Sequence, residues 1–152
     1  MDHVTAEQLA MLEEIATGDH HLAVVSTTRA DGSVQSSVVN AGLLPHPISG
    51  EPVVGFVTYG RAKLANLRRR PQATLVFRSG WRWAAVEGSC DLVGPDDRLP
   101  GFDEAGLALL LRTVFRAAGG DHDNWDEYDR AMAAERRAAV LVRPERLYSN
   151  PR

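Results

Sequence analysis

The segment Thr58–Pro71 has the sequence T-Y-G-R-A-K-L-A-N-L-R-R-R-P and gives the clearest structural signal in the chain. The residues just before it, from Val53 to Thr58, are rich in β-branched and aromatic side chains and predict a strand. Gly60 marks a turn, and helix-forming residues then run from Ala62 to Arg70. Because the residue before a proline disfavours the helical conformation, the helix should stop ahead of Pro71. The sequence therefore predicts a strand that passes directly into a helix.

This stretch is also strongly basic and contains no acid. Its five cations are Arg61, Lys63, Arg68, Arg69 and Arg70. The whole chain holds 17 Lys and Arg against 20 Asp and Glu, so the cations form a basic island in an acidic protein. Free N–H groups and the helix dipole make a helix N-terminus a natural anion site. Lys63, Asn66, Leu67 and Arg70 share one helical face, with Leu67 toward the core. A solvated basic helix is the alternative interpretation.

Length and composition limit the classes of protein to which this chain can belong. Its 152 residues predict one domain spanning 1–152. The net charge of −3 argues against general nucleic-acid binding. No apolar run approaches the length of a membrane span, and the N-terminus lacks the pattern of a signal peptide. The single cysteine, Cys90, excludes an internal disulfide and favours a cytoplasmic location.

The rest of the chain reads mainly as strands. Thr5 and Gln8 form a capping box ahead of a helix that ends near Gly18. Ala30–Ser33 is a hairpin signal between two strands. Further strands are predicted at Leu22–Thr28, Val34–Leu44, Ala73–Phe77, Trp81–Val93 and Ala138–Val142, and Leu147 and Tyr148 are expected to extend the last of these. A helical insert at about 103–135 contains an amphipathic helix ending at Gly119 and a shorter one capped by Asp123. These elements predict an antiparallel barrel with helices packed on it, a mainly β, α+β fold.

The side chains show no evident catalytic acid, base or nucleophile. The histidines lack the spacing of metal ligands, and His20 and His21 are interpreted as a surface pair. Cys90 lies in a strand and reads as a buried, inert thiol. Trp81 and Trp83 are two apart on one predicted strand and should share a face, where they either stack on a planar cofactor or pack in a core or dimer interface. If the protein is an enzyme, a bound cofactor should carry the chemistry.

Several motifs together resemble a known family. They are L-A-V-V-S-T-T-R-A-D-G, V-Q-S-S-V-V-N, T-Y-G-R-A-K-L-A-N-L-R-R-R-P, G-W-R-W-A-A-V-E-G, W-D-E-Y and E-R-R-A. In this order, from about His21 to Tyr148, they resemble the actinobacterial deazaflavin-dependent oxidoreductases of the pyridoxamine 5'-phosphate oxidase-like superfamily, B type. The resemblance implies a split β-barrel that forms a homodimer, with coenzyme F420 at each subunit interface. It also implies hydride transfer from the reduced cofactor to an unsaturated or heteroaromatic small molecule.

The resemblance also implies the cofactor site. The phosphate would lie on Thr58, Arg61, Ala62 and Lys63, and the ring along Gln35–Val38 near Trp81. The full set of candidate cofactor-binding residues is Gln35, Ser36, Ser37, Val38, Val57, Thr58, Arg61, Ala62, Lys63, Asn66, Arg69 and Trp81. Lys63 is expected at an exposed helix end, and the cofactor's acidic tail along Arg68–Arg70. No catalytic side chain and no metal are predicted. Relatives that bind FMN have a similar phosphate site, so an FMN-dependent oxidase or reductase and a non-catalytic carrier remain alternatives.

Overall fold

The structure, a computed structural model, describes residues 3–151, in which seven strands and four helices are found. The strands are β1 (Leu22–Thr28), β2 (Val34–Pro45), β3 (Pro52–Thr58), β4 (Gln72–Ser79), β5 (Arg82–Val93), β6 (Ala138–Val142) and β7 (Arg146–Ser149). The helices are α1 (Ala6–Thr17), α2 (Arg61–Arg69), α3 (Glu104–Ala117) and α4 (Trp125–Ala134). Met1, Asp2 and Arg152, the outermost residues of the predicted domain, lie outside the described residues.

The strands close into an antiparallel barrel. The order is β4-β1-β2-β3-β6-β5, and the β4–β5 pairing closes the ring. Closure depends on the length of β5: its part from Arg82 to Ser89 pairs with β4, while Cys90–Val93 pairs with β6. β7 adds to the other edge of β5 outside the ring. The predicted antiparallel barrel with packed helices, an α+β fold, is confirmed.

Two apolar cores hold the helices on the barrel. The first fills the interior with buried side chains such as Phe56, Leu75 and Phe77, and takes in Leu12 of α1 and Leu67 of α2. Leu67 is fully buried, so the predicted inward face of α2 is confirmed. The second core lies between α3 and the outer face of β3 and β6, where Val114 is fully buried. All three helices thus bury aliphatic surface against the barrel, worth about 25 cal/mol per Å² removed from water.

Several local predictions are confirmed and others are wrong. Thr5 and Gln8 form the predicted capping box. Trp81 lies in the turn before β5 and does not share a strand face with Trp83, because the β4–β5 ladder ends at the Ser79–Arg82 pair. The second insert helix is capped by Asn124, whose side chain accepts from the Glu127 N–H, and not by Asp123.

The predicted extension of the last strand is also wrong. Leu147 and Tyr148 belong to β7, which leaves β6 and pairs with β5. Pro144 lies between β6 and β7, and proline cannot donate to a strand ladder, so β6 stops before it.

Two neighbouring strands of the barrel, β2 and β3, separate over part of their length, and the candidate site lies at this gap. β2 pairs with β1 from Val34 to Asn40, but with β3 only from Ala41 to Pro45. Over the described residues, the first half of β2 therefore has one edge without a strand partner. The end of β3 and the start of α2 lie across this gap. The unpaired backbone N–H and C=O groups of this β2 edge can form hydrogen bonds with a ligand.

Within residues 3–151, no helix is both long and apolar enough to cross a bilayer.

Candidate functional site

A cavity of about 840 Å³ lies where the barrel parts. Its walls come from β2, from the end of β3 and the start of α2, and from α3 and α4 on the far side. Four of the predicted cofactor-binding residues line it: Val38, Val57, Thr58 and Lys63. A volume of this size is in the upper part of the range of small-molecule sites.

Lys63 is the charged group at the base of this cavity. Its side chain is only 7% exposed, so the expectation that it lies at an exposed helix end is wrong. The Nζ atom donates to Thr58 Oγ1 at 3.3 Å and lies 5.8 Å from the centroid of the Phe56 ring. No carboxylate of residues 3–151 forms an ion pair with it, and burial lowers the pKa of the ammonium group. A buried cation without a counter-ion is costly, and an anionic ligand would offset that cost.

The N-terminus of α2 adds further donors beside Lys63. Gly60 is the N-cap residue and supplies no side-chain cap, and the first helical hydrogen bond runs from the Leu64 N–H to the Gly60 carbonyl. The N–H groups at 61–63 therefore face outward uncapped. The Thr58 hydroxyl accepts from both the Gly60 N–H and Lys63 Nζ, which leaves its own proton free to donate. Together these groups form an anion site suited to phosphate.

A chain of side-chain hydrogen bonds joins α2 to the open edge of β2. Asn66 Nδ2 donates to Thr27 Oγ1 at 3.1 Å, and that hydroxyl donates to Gln35 Oε1 at 3.3 Å. Thr27 is almost completely buried, so this chain fixes the helix relative to β1 and β2. Gln35 and Asn66, both predicted cofactor-binding residues, therefore hold the two walls of the gap and do not themselves line the cavity.

The two predicted serines point to opposite faces of β2. Ser36 lies on the outer face, where its hydroxyl is 2.9 Å from that of Ser26. Ser37 lies on the inner face, and its Oγ is buried without a hydrogen-bond partner within the described residues. An unpartnered buried hydroxyl beside an open strand edge fits a site that is completed by a polar ligand.

The remaining predicted residues are on the surface. Arg61, Ala62 and Arg69 are exposed on α2 and do not line the cavity. Trp81 is 92% exposed at the tip of the β4–β5 hairpin. The structure therefore brings the cavity-lining residues close to the Asn66–Thr27–Gln35 chain. The side chains of Arg61, Ala62, Arg69 and Trp81 lie outside this group.

The basic island does not act as one surface. Arg68 makes a bidentate pair with Asp97, at 2.8 and 2.7 Å, and Arg70 Nε donates to the Thr28 carbonyl at 2.8 Å. Two of the three cations expected along a ligand tail are thus engaged within the chain. The sequence does not reveal this, because Asp97 is far from Arg68 along the chain and is brought near only by the barrel.

Sequence reasoning missed most of the residues that line the cavity. The missed lining residues include His20, His21, Tyr59, Phe115, Gly119, Tyr128, Met132 and Arg137. The His21 ring is 12% exposed, with Nδ1 3.2 Å from the Ala41 carbonyl and Nε2 3.9 Å from Glu13 Oε1, so its interpretation as a surface residue is wrong. Gly119 makes room for that ring, since a Cβ there would lie 2.8 Å from His21 Cδ2. No local signal in the sequence connects these residues.

Other reactive side chains are accounted for by burial. Burial raises the pKa of the Cys90 thiol to about 12, so it stays protonated at neutral pH. Burial likewise raises the pKa of Tyr128 to about 12, and its hydroxyl donates to the Leu111 carbonyl at 3.1 Å. Within residues 3–151, no three His, Cys, Asp or Glu side chains are placed to hold a metal ion.

Comparison with known proteins places this arrangement in a family. Residues 9–150 match the pyridoxamine 5'-phosphate oxidase family, and the chain therefore belongs to that family.

Solved structures with different cofactor assignments share its fold. A structure described as an F420 reductase has a TM-score of 0.60 at 19% identity, covering 95% of this chain and 98% of its own. A pyridoxamine 5'-phosphate oxidase-related, FMN-binding protein from Nostoc punctiforme has a TM-score of 0.62 at 11% identity, covering 98% and 86%. A conserved hypothetical protein from Mycobacterium tuberculosis has a TM-score of 0.62 at 18% identity, covering 97% and 84%. At these identities the likeness establishes the fold alone.

Proposed function

We propose that this chain is an oxidoreductase that binds coenzyme F420 and transfers hydride from the reduced deazaflavin to an unsaturated or heteroaromatic small molecule. The observation that carries the proposal is the buried Lys63 ammonium, which has no carboxylate partner in the described chain and lies beside the uncapped N-terminus of α2. Membership of the pyridoxamine 5'-phosphate oxidase family and the fold shared with an F420 reductase support it.

The residues present fit a cofactor that joins a phosphate to a planar ring. Lys63, the Thr58 hydroxyl and the N–H groups at 61–63 would hold the phosphate. The open edge of β2 at Gln35–Val38 would offer backbone donors and acceptors to the ring, with Val38 and Val57 as apolar walls. When bound, the reduced deazaflavin supplies the hydride. The chain itself orients the reactants and excludes water, which is the main requirement of hydride transfer.

A homodimer is part of the proposal. An apolar row crosses five strands on the outer face of the sheet, because the register aligns Val38, Val24, Val76, Ala85 and Tyr148. Val24 and Val38 are 43% and 64% exposed, and Tyr148 is 44% exposed. A second copy of the chain is proposed to cover this face, with the exposed Trp81 reaching toward the partner.

FMN is the alternative cofactor, since the same anion site suits its phosphate and an FMN-binding protein shares the fold. Equilibrium titration with F420 and with FMN, followed by an assay for oxidation of reduced F420 against a panel of activated alkenes and nitroheterocycles, separates the possibilities. We expect tighter binding of F420 and turnover of at least one acceptor. Tighter binding of FMN would favour an FMN enzyme, and binding of F420 without any turnover would favour a carrier.

A further inference from the structure

Arg137 is a second cation of the cavity, separate from Lys63. It directly precedes β6, and since Thr58 pairs with Ala138 at the end of the β3–β6 ladder, Tyr59 lies next to Arg137 across that ladder. The guanidinium carbon is 4.1 Å from the centroid of the Tyr59 ring. Nε donates to Glu135 Oε2 at 2.6 Å, whereas the two terminal Nη groups donate no hydrogen bond within residues 3–151. Arg137 thus lines the cavity with two NH₂ groups whose hydrogens are unused within residues 3–151.

The cavity wall beside Arg137 is apolar and aromatic. It is formed by Val57, Val114, Phe115, Tyr128 and Met132. The Phe115 and Tyr128 rings pack with centroids 4.9 Å apart, and the Tyr128 hydroxyl is already used by the Leu111 carbonyl. Tyr128 therefore presents only its ring. Gly120 packs directly against the Phe115 ring, because a Cβ at residue 120 would be 2.5 Å from Phe115 Cζ. This wall is therefore closely packed.

We infer that this half of the cavity binds a flat, largely apolar molecule that carries an anionic group, and that Arg137 recognises the anion. The guanidinium packs over the Tyr59 ring, and its intrinsically planar fork with free N–H groups suits a carboxylate or sulfonate. The inference rests on the proposed function in one respect: such a molecule would be the hydride acceptor, lying between Arg137 and the ring of the cofactor.

The two cationic positions suit different ligands. Lys63 is a compact charge next to uncapped backbone N–H groups, which fits a phosphate. Arg137 is a stacked guanidinium at an aromatic wall, which fits a conjugated anion. The cavity of about 840 Å³ is large for a single small substrate. Two ligands in contact would fill it, and hydride transfer requires that contact.

Cofactor-free protein titrated with two fluorescent probes tests the inference. Anilinonaphthalenesulfonate is aromatic and anionic, and phenylnaphthylamine has nearly the same rings without the charge. We expect Arg137→Gln to weaken binding of the sulfonate about tenfold, the scale of a lost charge-assisted hydrogen bond, and to leave the uncharged probe nearly unchanged. The matched control is Arg130→Gln, which removes the same charge from an exposed position on α4 and should affect neither probe. Met132→Gln should weaken both.

The outcomes separate this inference from the proposed function. Equal effects of Arg137→Gln and Arg130→Gln, or complete displacement of the sulfonate by saturating F420 or FMN, would overturn the inference. If thermal unfolding shows that Arg137→Gln does not fold, Arg137→Lys replaces it, with an expected loss of several-fold, because the charge remains without the planar fork. Failure of the proposed function would instead appear as wild-type protein that binds neither cofactor, whatever the probes do.

Discussion

At the scale of single residues, Lys63 destabilises the ligand-free fold and provides a charge for ligand binding. Its ammonium is buried against Phe56 and has Thr58 as its one hydrogen-bond partner within the described residues. Removing a charge from water without a counter-ion destabilises the folded state. Retaining a cation at such a position is understandable if a ligand supplies the opposite charge. The ligand-free protein should therefore be less stable than a variant with an apolar side chain of similar length.

Lys63→Met should stabilise the cofactor-free protein by about 1 kcal/mol at neutral pH, since it removes a buried, unpaired charge. Burial lowers the pKa of Lys63 below its ordinary 10.5. The unfolded chain then binds the proton more strongly, so wild-type stability should rise as the pH increases through the window that ends near 10.5, and Lys63→Met should lack that rise. Chemical denaturation at several pH values measures both effects. A destabilised Lys63→Met at neutral pH would show that the charge is compensated in the free protein.

Asp91 shows the opposite case, a half-buried charge that is well compensated. Burial alone would raise the pKa of Asp91, but hydrogen bonds from Arg143 and His46 outweigh it and hold the pKa below the ordinary 3.8. His46 Nε2 lies 2.8 Å from Asp91 Oδ2, and His46 Nδ1 accepts from the Ile48 N–H at 3.1 Å. This cluster ties the β2–β3 hairpin to β5.

Asp91 should therefore contribute stability that is complete above pH of about 4 and is lost as the pH falls through its lowered folded-state pKa. In Asp91→Asn that part of the acid dependence should be absent, and the variant should be less stable than wild type near neutrality. Urea denaturation between pH of about 2 and about 6 gives the comparison. Parallel acid profiles for the two proteins would contradict the assignment.

The residue scale also shows where sequence reasoning stops. Local pattern was sufficient to place Lys63 and Leu67 on one face of a helix. It was not sufficient to predict that Lys63 is buried, because the residues around it come from β3 and from helices far along the chain. For the same reason it did not pair Arg68 with Asp97. Burial and ion pairing depend on tertiary packing, which single-sequence periodicity does not contain.

At the scale of elements, α2 joins the barrel to the anion site. Gly60 caps this helix without a side chain, and a Cβ added there would meet Thr58 Oγ1 at 3.5 Å and Lys63 Nζ at 3.8 Å, which are ordinary contacts. Its φ of −64° is accessible to every residue type. Glycine at this position is therefore not required by the backbone, and a side chain can be introduced to test the helix end.

Gly60→Asp should stabilise the protein by roughly 0.5 kcal/mol through a side-chain N-cap and a negative charge at the helix N-terminus, while its carboxylate competes with the ligand for Lys63 and for the N–H groups at 61–63. Gly60→Ala is the matched control, because it adds the Cβ without the charge and should leave cofactor binding nearly intact. Thermal unfolding and cofactor titration are the two measurements. If Gly60→Asp binds the cofactor as well as Gly60→Ala does, the phosphate does not lie at this helix end.

The sequence predicted those elements whose structure depends on residues close together in the chain. The capping box at Thr5 and the hairpin at Asp31–Gly32 act within a few residues, and both are found in the structure. The position of β7 depends on which edge of the sheet is free, and that follows from closure of the whole barrel. The cavity wall from α3 and α4 is likewise a product of how the insert packs, and not of its own sequence pattern.

At the scale of the whole molecule, the outer face of the sheet and the open gap lie on adjoining surfaces. Val38 belongs to both, since it lines the cavity and is also part of the apolar row that continues through Val24. A second chain packed on this row would lie next to the cavity. Assembly and cofactor binding should therefore depend on each other.

Val24→Lys should convert the proposed homodimer into a monomer and weaken cofactor binding, because it places a charge within the apolar row, next to Val38. Leu109→Lys is the control: Leu109 is 64% exposed and belongs to α3, which contributes no residue to the apolar row. Sedimentation velocity with and without cofactor reports both effects. A wild-type monomer that binds the cofactor stoichiometrically would contradict this part of the account.

The central claim, that the buried Lys63 site binds the cofactor's phosphate, is tested most directly by the dissociation constant of F420 for wild type, Lys63→Met and Arg69→Met. Arg69 is the matched control because it is an exposed cation of the same helix. We expect Lys63→Met to weaken F420 binding about 10- to 100-fold, and Arg69→Met to change it less than about threefold. An unchanged dissociation constant for Lys63→Met would contradict the claim.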